Sequence, residues 1–325
     1  MSGPGEPNAD HGKHARPMAL VVPEPDVFPP MRQRLLIAVA VAIGAGSWMA
    51  VAPMLQAIDG ASGLSLATAR VGMGQAVALV YVAAIPTIAA GLVVAAAGHR
   101  LSGVFAVAGA LTIIATSAGS IDGWFRRDPV SMPEPYVGLI VELAIWMVIV
   151  LATLVLTEKL APRLRPRLPA LMVSAADAPS QDGPRTRIQS CGAAVLCAAV
   201  AGALALVMIR STDAGQVTWA LIVAFFVGAL VSQSVIPQCH PWAIVLSPAL
   251  VGVAAYLWVL FGFGSHEMFL TSWYAMGRSA TAIPGPAMAL PVFYASAAVV
   301  GVTAGLGCAE SLNPAARVPS QDGAA

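Results

Sequence analysis

A chain of 325 residues with 58% hydrophobic and only 10% charged residues is too apolar for a water-soluble globule, in which roughly a quarter are charged. Its net charge of +1 argues against nucleic acid as a partner on bulk electrostatics. The mean hydropathy of +0.79 makes the lipid bilayer its solvent.

Residues 1–33 carry seven prolines and little periodicity, and are expected to be a disordered cytoplasmic tail with no signal-peptide core. The first long apolar stretch is 35–57, which should act as an uncleaved anchor. Further stretches follow at 73–97, 101–121, 136–157, 189–209, 216–236, 241–263 and 287–309. Each is long enough to cross a hydrocarbon core of about 30 Å at about 1.5 Å per residue. The expected fold is an all-α integral membrane protein of eight spans. Residues 34–162 form a four-helix unit A and residues 188–314 a four-helix unit B. A basic Pro/Arg/Ser linker at 163–187 joins them, and a second cytoplasmic tail follows at 315–325. No aqueous piece is long enough to bury a core, which excludes an enzyme built on a separate soluble domain.

Orientation follows from Lys and Arg placement. With the N-terminus inside, twelve basic residues lie on the cytoplasmic side and five outside, six of the twelve in the central loop between Lys159 and Arg187. Both termini are therefore expected in the cytoplasm. Basic residues other than Lys13 and Lys159 are Arg, and with heavy Ala, Gly and Pro usage this suggests a GC-rich bacterial genome and its plasma membrane.

The second half repeats landmarks of the first. Pro-Ser-Gln-Asp-Gly occurs at 179–183 and at 319–323. Gly74-Gln75 and Gly215-Gln216 open the second and sixth spans, and His99 and His240 follow at inner turns. Gly119-Ser120 matches Gly264-Ser265, Pro133 matches Pro284, and Glu158 with Pro162 matches Glu310 with Pro314. Rare residues in one order point to tandem duplication. Four spans per unit, an even number, put both units in the same orientation, related by an axis along the membrane normal.

Glu142 is the one ionisable side chain well inside a span. A carboxylate at depth costs roughly 2.5–3.5 kcal/mol on insertion scales, so it should face the bundle or a wet cavity. One reading makes it a proton- or cation-coupling site, with Phe293 at the matching place in unit B. The simpler reading is a carboxyl near the interface that reaches outer water or pairs with Arg126 or Arg127. Pro53, Pro86, Pro248 and Pro291 interrupt spans and read mainly as tolerated kinks. Gly301 and Gly305 fit close helix packing.

Cys191, Cys239 and Cys308 fall near the cytoplasmic face and Cys197 inside the fifth span, where reduced thiols are expected. Cys239, His240 and Cys308 are the thiolate and imidazole set from which a metal site would be built, without CxxC or HxxxH spacing. The long outer loops hold Asp122, Arg126, Arg127, His266, Glu267 and Arg278 as candidates for a vestibule or docking surface, beside interface-marking Trp and Tyr. No catalytic, nucleotide or cofactor motif stands out. The motif-free reading is a non-enzymatic scaffold binding a membrane-protein partner or a second copy of itself. The alternatives are a small-molecule or ion permease using Glu142, and a membrane-embedded enzyme.

Overall fold

The computed structural model describes residues 31–56, 64–66, 69–117, 119, 121–122, 135–168, 184–237, 239–263, 265–274 and 283–312. These are helical with no strand among them, and eight helices are long and apolar enough to cross a membrane. A lipid-embedded chain must satisfy its backbone internally, which helices do residue by residue.

The helices are α1 (Met31–Leu55), α2 (Met73–Ala97), α3 (Arg100–Ser117), α4 (Pro135–Leu164), α5 (Pro184–Met208) and α6 (Ala214–Val235). The seventh span is split into α7 (Pro241–Val245) and α8 (Ser247–Gly262), and a short α9 (His266–Tyr274) follows it. A 3-10 turn, Arg165–Arg167, extends the fourth span, and Asp213 caps α6 by accepting the Gln216 amide at 2.9 Å. Gly119, at φ 77°, holds a left-handed turn after α3 that favours glycine.

The eighth span departs from expectation. A helix was expected from residue 287, yet Gly285–Met288 is a 3-10 turn, and Ala289 and Leu290 are extended. Helix begins only at α10 (Pro291–Phe293), passes through a π turn at Tyr294–Ala298 and continues as α11 (Val299–Leu312). Pro284, Pro286 and Pro291 lack the amide hydrogens an earlier helix start would need. This interrupted span is also the most enclosed, 78% buried over its apolar window against 22% for α1.

Two faces are defined by contacts between helix ends. On one, Gln33 Nε2 donates to Ser102 Oγ at 2.9 Å, Arg165 to the Gly98 carbonyl at 3.0 Å, and the His240 amide to Ser190 Oγ at 2.8 Å. Here also His99 Nε2 lies 3.7 Å from Glu310, and Arg100 3.8 Å from Glu158. This terminal face carries the start of α1 and the end of α11. The opposite face carries the connection between α1 and α2 and the broken start of the eighth span.

Within the first four spans, α1 packs on α2 and α3, and α2 packs on α4. Within the last four, α5 packs on α6, α7 and α8, and α6 packs on α11. Between the halves, α4 lies on α8, and α3 lies on the π turn and α11. One pair differs: α2 and α3 are closely packed, whereas the sixth and seventh spans scarcely touch. The α6–α11 contact relies on glycine: a Cβ on Gly301 would collide with the Ile222 carbonyl oxygen, and one on Gly305 would meet that of Phe226 at 2.5 Å. Lipid tails are as apolar as these side chains, so close van der Waals fit drives such packing.

Candidate functional site

Glu142 lies seven residues into α4, about 10 Å along its axis. It is 1% exposed and turned into the bundle, not toward lipid. Trp146, one turn further on the same helix face, donates Nε1–H to Glu142 Oε1 at 3.1 Å. The other oxygen is held from outside the spans. Leu64, Ser65 and Leu66, in the connection between α1 and α2, are buried, each 1% exposed or less. Ser65 Oγ donates to Glu142 Oε2 at 2.6 Å and the Leu66 amide at 3.0 Å. The Trp146 indole and the Leu66 amide can only donate, so each carboxyl oxygen accepts at least one hydrogen bond. The Arg70 amide donates to the Gln56 carbonyl at 3.1 Å, drawing together the ends of the connection.

Trp48 of α1 packs on Trp146 with ring centroids 5.5 Å apart, and seven residues from the end of α1 it sits at a similar depth to Glu142. Its Nε1–H is buried without an acceptor among the described residues. Across the bundle, Leu143 of α4 would be 2.8 Å from a Cβ on Gly252 of α8. Tyr256 of α8 stands within electrostatic range of the Glu142 carboxylate. The carboxylate therefore lies beside the seam between the first and last four spans. Phe293, expected to match Glu142, is buried in α10.

A second polar centre was not foreseen. Three fully buried tyrosines from three spans converge on the 3-10 turn and extended residues before Pro291. Tyr136 Oη donates to the Ala287 carbonyl at 3.2 Å, Tyr256 to Ala289 at 2.6 Å and Tyr294 to Pro286 at 2.7 Å. Their ring centroids lie 5.7 Å apart in a tilted pair (Tyr136–Tyr256) and 6.1 Å apart edge-to-face (Tyr256–Tyr294), in the range of favourable aromatic pairs. The Ala287 and Ala289 carbonyls take the phenols of Tyr136 and Tyr256 as donors, and the Pro286 carbonyl accepts from both Tyr294 and the Ala289 amide.

The remaining candidates are not gathered into one site. Asp122 is half-buried after α3; His266 and Glu267 open α9, with Glu267 exposed. Arg126, Arg127 and Arg278 lie outside the described residues, so the expected pairing of Glu142 with an outer arginine does too. Among the described residues no three His, Cys, Asp or Glu side chains form a group able to hold a metal. Cys239 instead donates its thiol to Gln233 Oε1 at 3.1 Å, and burial pushes it up to about 11. His240 stacks 5.9 Å from Trp242, Cys308 is half-buried, Cys191 is exposed, and Cys197 accepts from Ser247 at 3.1 Å inside the bundle. An opening among the described residues lies on the terminal face, lined by Gln189, Val235, Ile236 and Pro237, away from Glu142. Comparison with protein-family models, with curated proteins and with solved structures finds no match for this chain.

Proposed function

We propose that this multi-pass membrane protein is a permease for a small solute or ion, with Glu142 as its intramembrane coupling residue. The observation that carries the reading is the inward carboxylate beside the α4–α8 seam, held in part by a loop and not only by its own span. Ionisable groups inside spans are costly and mark ion or substrate paths. The interrupted start of the eighth span adds support, because non-helical backbone at depth is the form transporters use at binding sites. The units at 34–162 and 188–314 are read as a tandem duplication. In support, the α4–α8 contact has its counterpart in the α3 contact with the eighth span, as a two-fold relation requires; the loose sixth and seventh spans are its weakest point. We place the chain in a bacterial plasma membrane with both termini in the cytoplasm. Arg32, Arg34, Arg100, Lys159, Arg163 and Arg165 share the terminal face, and Arg70 and Arg210 the other.

A non-enzymatic scaffold is the second reading. It is favoured by the opening on the terminal face lying apart from Glu142, and by the polar groups around Glu142 being engaged with one another. Proteoliposomes holding a pH-sensitive dye separate the two when amines, organic acids, sugars and inorganic cations are added in turn. The permease reading expects at least one class to move protons or to enter with wild type and not with Glu142→Gln at equal insertion. Vesicles that respond to no class like protein-free controls leave the scaffold.

A further inference from the structure

We propose that residues 64–66 are a resident plug in a subsite for a small solute carrying an ammonium group, an inference that rests on the permease reading of Glu142. The Ser65 hydroxyl and the Leu66 amide occupy one carboxylate oxygen, and both residues lie outside the eight spans. The Gln56–Arg70 bond holds the base of that connection, so the plug has an anchor when it swings out. Two neutral donors on one oxygen are what an ammonium replaces, adding opposite charge where the medium screens it least.

The rest of the site fits the same ligand. The Trp48 N–H is buried without an acceptor among the described residues, and such a donor costs stability until something accepts from it. A hydroxyl or carboxylate oxygen on the solute, or a water it carries in, is that acceptor. The Trp48 and Trp146 rings, 5.5 Å apart, put aromatic side chains beside the carboxylate that a cation can use. A bare metal cation such as sodium brings neither an N–H donor nor an acceptor of its own.

The test uses the full chain in detergent, with Cys191→Ser and Cys308→Ser removing the accessible thiols and Leu64→Cys reporting on the plug. Ethanolamine is the probe and sodium the control. If the probe binds only the unplugged form, maleimide labelling at residue 64 rises roughly tenfold at about ten times its dissociation constant from that form, while the plugged form still predominates. The rise disappears in Glu142→Gln, and Ser65→Cys repeats the measurement should Leu64→Cys elute as aggregate. No rise with ethanolamine in either reporter overturns the proposal, as does an equal rise with sodium. Transport of some other solute without this rise overturns the plug and leaves the permease standing. A rise without transport leaves the site and removes the permease.

Discussion

Gly301→Ala is the most informative single perturbation of the fold. The added methyl would collide with the Ile222 carbonyl oxygen and lie 3.1 Å from both the Ile222 carbonyl carbon and the Phe226 nitrogen. All three are backbone atoms of α6, so no side-chain rotation relieves the clash and α11 must move away. Overpacking of this kind costs about 1–3 kcal/mol. Gly305→Ala meets the Phe226 carbonyl and Ala229 in the same interface, and the double variant should lose less than the sum, because one displacement relieves both. Gly307→Ala is the control: nothing stands within 4 Å of its Cβ, and alanine favours helix by up to about 1 kcal/mol. The assay is the fraction of monodisperse protein left in detergent after stepwise heating. Gly301→Ala should lose it at lower temperature than wild type, and Gly307→Ala should not. Equal stability of Gly301→Ala and wild type would refute the α6–α11 contact.

Reporter fusions after residue 180 and after residue 315 should both read cytoplasmic, and a periplasmic signal at either means an odd error in the spans before it. Tyr256→Phe removes the donor to the Ala289 carbonyl and should cost about 1–3 kcal/mol of thermal stability; Tyr81→Phe, at a side chain 40% exposed, should cost little. The raised Cys239 thiol holds its proton below about pH 11, so thiolate is scarce at pH 8. Alkylation there should modify exposed Cys191 and spare Cys239, with Cys239 reactivity increasing as pH climbs toward 11; rapid modification of Cys239 at pH 8 contradicts its burial.

The spans were legible because hydropathy and length alone decide them: α2 runs from Met73 to Ala97, the bounds its apolar run implies. The eighth start was not, because Ala287, Met288, Ala289 and Leu290 are as apolar in a buried coil as in a helix. The triple proline pattern at 284, 286 and 291 was the available signal. The inward turn of Glu142 followed from the cost of a charge in lipid, but its partners did not. Leu64-Ser65-Leu66 reads as an ordinary short loop, and nothing local says that it folds back 76 and 77 residues away onto α4. The tyrosine cluster is scattered over positions 136, 256 and 294 and becomes visible only when three helices meet. Trp48 and Trp146 carry no pattern that sets them apart from interface aromatics.

The central claim, that Glu142 couples movement through the bundle, is tested most directly by charge displacement on a solid-supported membrane. Reconstituted wild type is exposed to a pH jump with ethanolamine and then with each of the other solute classes in turn, beside Glu142→Gln reconstituted to the same density. The account predicts a transient in wild type that is absent in Glu142→Gln although the variant inserts and elutes as wild type does. Identical transients in the two proteins, or none above a protein-free membrane, would contradict it.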